Sequence, residues 1–148
     1  MEDFMERSVH LFHIHPMLVH FPIALFLGAL GFEIASLVSR KENLHRTAFH
    51  LYIVAALLSP LVVQTGLWEE DYLHLHHPIL ESHEESALAT MWTALASLPI
   101  LWLVHEKKVQ MFRTVFLVFV LVVAVTVSTA AYFGGKMVYE YGIGINAQ

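Results

Sequence analysis

Four long apolar stretches constrain this chain more than any other feature: Pro16 to Val38, Thr47 to Trp68, Ser86 to Val104 and Thr114 to Phe133. At a rise of about 1.5 Å per residue, each is long enough as a helix to cross roughly 30 Å of hydrocarbon. Glu33 is the only charge inside any of them. Strands are excluded, because a lipid-exposed strand edge leaves backbone groups unpaired and four segments cannot close a barrel. The connections, Ser39 to Arg46, Glu69 to Glu85 and His105 to Arg113, are short and force neighbouring spans to run antiparallel. The expected fold is all-α: an integral membrane, antiparallel four-helix bundle forming a single domain over residues 1–148.

Composition agrees. Apolar residues make up 57 % of the chain and charged residues 14 %, against about a quarter charged in a soluble protein. The absence of cysteine removes disulfides, thiolate metal sites, iron–sulfur clusters and covalently attached c-type haem.

Orientation follows from the bases, since short loops rich in Lys and Arg stay in the cytoplasm. Arg40, Lys41, Arg46, Lys107, Lys108 and Arg113 fall in the first and third connections. The second carries Glu69, Glu70, Asp71, Glu81, Glu84 and Glu85 with no base. One end of the bundle is therefore basic and the other acidic, and the expectation is that both termini lie outside the cytoplasm, at the acidic end. Trp68 and Tyr132 are expected at the outer interface, and Tyr52 and Trp102 at the inner one. The start, MEDFMERS, lacks the basic region of a signal peptide, so the first span is expected to be retained. The bases are explained by topology, and no nucleic-acid partner is expected.

Eleven histidines stand out, because imidazole combines metal ligation with titration near neutrality. His10, His13, His45 and His74 read as ordinary solvated residues. His20 and His50 lie about one turn inside apolar spans, where an unpaired polar group is costly and a function or buried partner is the default. In the third span His83, Ser86, Thr90, Thr93, Ser97 and His105 share one helical face, a polar stripe expected to point inward. In the first, His20, Ala24, Gly28, Gly31 and Ala35 share another, small enough for a helix or flat cofactor to approach closely.

Spans one and three are diagonal in an up-and-down bundle, about 11–14 Å apart if neighbours pack at 8–10 Å. A b-type haem between His20 and His83 at the outer end fits that gap. His15, just before Pro16, suits a helix cap and is the nearest competitor for the iron. A second haem, between His50 and His105 at the inner end, would need ligands from adjacent helices. Separately, His74, His76, His77 and Glu81 offer nitrogen and oxygen ligands for zinc or copper. The HEES segment is not the HExxH of a zinc protease. Glu33 is expected either to pair with Arg40 or Lys41, or to serve proton transfer or quinone contact.

The segments IHPMLVHFPIALFLGALGFE (Ile14 to Glu33), TGLWEED, ESHEESALA and GGKMVYEYGIGI (Gly134 to Ile145) resemble the bacterial membrane proteins of the domain of unknown function 2231 family, over nearly the whole chain. Relatives joined to Rieske or cytochrome c domains imply a place in electron transfer and a redox partner of that kind at the outer face. The resemblance picks out His15, Pro16, His20, His83, Gly134, Gly135, Tyr139 and Gly142; many relatives have a histidine where this chain has Tyr141. Gly134-Gly135 is expected to end the fourth helix and turn the tail, so that Tyr139 and Tyr141 lie along the outer interface or cap the mouth of the bundle, where they could close over a haem edge or contact a partner.

These readings converge on a membrane-integral haem b electron-transfer protein or redox-complex subunit, not an enzyme by itself. The alternatives are a zinc or copper binding or transport protein, and a cofactor-free membrane anchor for a redox partner.

Overall fold

The computed structural model describes residues 14–73, 76–105 and 109–143. They form four long helices and no strand: α1 (His20–Ser39), α2 (Glu42–Leu73), α3 (Pro78–His105) and α4 (Val109–Tyr139), with a one-turn helix, His15–Leu18, leading into α1. All four are long and apolar enough to cross a membrane. They pack as two antiparallel hairpins, α1 on α2 and α3 on α4, closed by narrower seams between α1 and α4 and between α2 and α3. The backbones of the diagonal pairs stay apart, while α2 meets α4 across the core through aromatic rings.

Helices outrun the apolar spans because a helix, once nucleated, continues through polar residues at little cost. Thus α2 starts at Glu42 rather than near Thr47, and α3 starts at Pro78, the first-turn position that suits proline. Gly134-Gly135 does not end α4, contrary to expectation. Two glycines permit a break without requiring one, and the helix runs on to Tyr139. The stop comes at Gly142, whose φ of 66° is the left-handed conformation that ends helices. There the Ile143 N–H donates to the Met137 carbonyl at 2.9 Å, which satisfies one of the last carbonyls of the helix.

The buried face of α1 is Pro22, Phe26, Ala29, Glu33 and Ser36, spaced alternately four and three residues apart. Ala24, Gly31 and Ala35, three members of the small-residue face, point out of the bundle instead, while Gly28 is half-covered by Leu51. The core face wins because it carries Phe26 and Glu33, which have most to gain from partners. On α3 the middle of the expected polar stripe faces inward: Thr90 and Ser97 are buried, and their hydroxyls donate to the Ser86 and Ala94 carbonyls. Tyr52 is fully buried, with its hydroxyl 2.9 Å from Ser97 Oγ and its ring edge-on to Phe26 and Phe116. It therefore does not mark the interface. Trp68, Trp102 and Tyr132 stay exposed, as amphipathic rings at headgroup depth would.

Candidate functional site

At the acidic end the fold brings His15 together with His83. Their ring centroids are 6.3 Å apart and the planes cross at 80°. His15 comes from the turn leading into α1 and His83 from the second turn of α3, so the pair bridges a diagonal of the bundle. Each ring is held by the backbone of a different helix. His15 Nδ1 lies 3.0 Å from the Val62 carbonyl and 3.1 Å from Thr65 Oγ1 on α2, and His83 Nδ1 lies 2.8 Å from the Ala130 carbonyl on α4. A carbonyl oxygen only accepts, so Nδ1 must carry the proton in both rings, which leaves each Nε2 with a free lone pair. Metal-ligating histidines are commonly oriented in this way.

Two glycines make room for the rings. A Cβ at Gly66 would lie 2.8 Å from His15 Cε1, and one at Gly134 would lie 3.2 Å from His83 Cε1. All four helical segments thus contribute at one level: two histidines on one diagonal and two glycines on the other. Thr65 adds a second tie, since its hydroxyl donates to the Val62 carbonyl at 2.7 Å while standing beside His15 Nδ1.

The other expected ligands are placed differently. His20 is exposed on the outer surface of α1, opposite the core face, and the fold does not bring it to His83. His50 is exposed on α2, its ring 6.5 Å from that of Phe49. The side chain of His105 and all of His74 lie outside the described residues. His76 and Glu81 are exposed. Among the described residues no three His, Asp or Glu side chains are grouped to hold a metal ion. His77 accepts the Ile79 N–H at Nδ1 and its ring lies tilted against that of Tyr141 with centroids 4.6 Å apart, so the tail folds against the start of α3, whereas Tyr139 is 89 % exposed.

A second polar group sits at the basic end. Glu33 is completely buried and bonds neither Arg40 nor Lys41. Its partners are His45 Nδ1 at 2.6 Å and Arg113 Nε at 3.2 Å, and Arg113 also donates to Ser36 Oγ at 2.6 Å. His45, expected to be solvated, is buried here with its ring edge-on to Phe112 and Phe116. A sequence signal existed: Glu33 twelve residues before His45, across a tight turn, places an acid and an imidazole at the same level of a helical hairpin.

A four-helix membrane bundle with a carbonyl-anchored histidine pair at one end and a buried ion-pair cluster at the other defines the class of protein. A profile of the family described as predicted membrane protein DUF2231 matches residues 12–147, and the chain belongs to that family. No curated protein and no solved structure matches it.

Proposed function

We propose that this protein is a membrane-integral electron-transfer protein or redox-complex subunit in which His15 and His83 hold a b-type haem at the acidic end. The observation that carries the reading is the geometry of the pair. Two imidazoles ligating one iron through Nε2, with bonds of about 2.0–2.1 Å as imidazole makes to first-row metals, place their centroids roughly 6–6.5 Å apart. The rings stand at 6.3 Å, each with its Nδ1 already engaged. The donor set supports haem over a bare ion, since zinc asks the protein for three or four ligands while haem iron asks it for two. Gly66 and Gly134 provide the clearance. His15 takes the ligand role that the sequence pattern had favoured for His20.

Bound there, haem would supply reversible one-electron chemistry. The chain's own part is to fix both rings, to desolvate them, and to present an acidic surface at the same end. The carboxylates of Glu69, Glu70, Asp71, Glu81, Glu84 and Glu85 would steer a basic redox partner such as a cytochrome c or Rieske protein.

The test is the visible spectrum of the purified full-length protein. A Soret band with sharp α and β bands on reduction is expected, abolished or converted to a high-spin form in His15→Ala and His83→Ala and retained in His20→Ala. Normal haem content in both of the first two variants would falsify the assignment. A colourless protein with stoichiometric zinc or copper, lost when His74, His76 and His77 are replaced together, would establish the metal-binding alternative. A colourless, metal-free protein that copurifies with a cytochrome would establish the anchor.

A further inference from the structure

We infer that Glu33, His45 and Arg113 form a proton-exchanging site at the basic end of the bundle, with His45 Nε2 as the atom that takes and releases the proton. The inference stands on a different set of residues from the haem reading and survives its failure. An ionisable cluster inside a membrane bundle is costly, and this one is built from three helices: Glu33 of α1, His45 of α2 and Arg113 of α4. The Glu33 carboxylate is fully buried and both of its oxygens are engaged, Oε1 by Arg113 and Oε2 by His45. With the guanidinium permanently charged, carboxylate and Arg113 cancel, and a neutral His45 leaves the cluster at zero net charge.

Neutral His45 must then donate Nδ1–H to Glu33, and its lone pair sits on Nε2. A carboxylate behind an imidazole fixes the tautomer and stabilises the imidazolium, the same division of labour as in a catalytic Asp–His pair. Nε2 is not sealed. No buried side-chain nitrogen or oxygen among the described residues lacks a hydrogen-bond partner, and of the two His45 ring nitrogens Nδ1 has one among these residues, so Nε2 lies on the 6 % of the residue that is exposed. His45 is in the first turn of α2, before the apolar stretch begins at Thr47, which sets that exposed edge at headgroup depth within reach of water. A proton arriving from water binds Nε2, and the cluster goes from zero to one positive charge.

Among the described residues the charged groups facing His45 are Glu33 from α1 and Arg113 from α4, with Glu42 of its own helix 4.0 Å beyond Arg113. From α3 the buried contribution at this end is Leu101, which is apolar. Glu33 therefore favours the proton and Arg113 opposes it. A purely structural salt bridge would not need an imidazole with a free, accessible nitrogen.

The experiment follows the ring nitrogens of His45 by nuclear magnetic resonance in the full-length, histidine-labelled protein, assigned by difference from His45→Gln. The neutral ring is expected as the Nδ1–H tautomer, taking up one proton at Nε2 as acid is added. Glu33→Gln should weaken proton binding at least about tenfold, one pH unit of midpoint, and Arg113→Gln should strengthen it. Opposite signs in the two variants are the signature of the site. A ring that holds one protonation state throughout the acid titration of the folded protein, or one whose midpoint moves in neither variant, overturns the proposal. Should Glu33→Gln fail to fold, the sign of the Arg113→Gln shift decides.

Discussion

Glycine at positions 66 and 134 has a steric explanation that can be tested directly. A methyl group at Gly66 meets His15 at 2.8 Å, closer than carbon atoms tolerate, while His15 is pinned by the Val62 carbonyl one turn away on the same helix. The ring has nowhere to retreat without breaking that bond. Gly66→Ala should lower haem content severalfold and cost about 1–3 kcal/mol, the usual penalty for overpacking. Gly134→Ala, at 3.2 Å from His83, should do the same more weakly. Haem-to-protein ratios and thermal unfolding in detergent would check both, and wild-type behaviour in the Gly66 variant would remove the spacer argument. That His15 faces the interior and His20 does not was also legible in the sequence. His15 precedes Pro22 by seven residues, about 20° from it on a helix, and so extends the seam Pro22, Phe26, Ala29, Glu33, Ser36. His20 lies about 160° from Pro22, on the lipid side. Depth in the membrane was the wrong criterion, because burial against a partner depends on face. The contacts of His83 with Ala130 and of Arg113 with Glu33 join residues 47 and 80 apart, and no local pattern announces them.

At the level of elements, the spans were readable because twenty apolar residues have few other uses, and the ends were less so because capping in polar surroundings is decided by single residues. Proline inside α2 illustrates how an element survives its own defect. Pro60 has no N–H to offer the Ala56 carbonyl, and inside a bilayer no water replaces it. Ser59 Oγ donates to that carbonyl at 2.8 Å. Ser59→Ala should therefore destabilise the bundle by about 1 kcal/mol, the net worth of a hydrogen bond whose acceptor is left unsatisfied. The sharper expectation is the double variant. With Pro60→Ala in place the backbone N–H of residue 60 can reach Ala56, so Ser59→Ala should then cost almost nothing. Reversible unfolding in mixed micelles would measure all three, and an undiminished serine effect in the alanine background would show that the hydroxyl serves some other role.

For the molecule as a whole, the two polar sites lie at opposite ends, so what each can meet depends on which way the bundle sits in the membrane. The histidine pair shares its end with six carboxylates of the 69–85 segment, while the Glu33–His45–Arg113 cluster shares its end with Arg40, Lys41 and Arg46. Retention of short basic loops in the cytoplasm would put the proton-exchanging cluster inside and the histidine pair outside, facing partners that move along the outer surface. A reporter that works only outside the cytoplasm, fused after Gln148, should be active, and the same reporter inserted in the Ser39–Arg46 connection should be silent. Replacing Arg40, Lys41 and Arg46 together with glutamine removes half of the bases that hold those loops, and should lower the activity of the first fusion as part of the population inverts. If the fusion after Gln148 is silent while the loop insertion is active, the acidic end faces the cytoplasm. In that case the histidine pair would serve a cytoplasmic partner, and the proton accepted by His45 would come from outside.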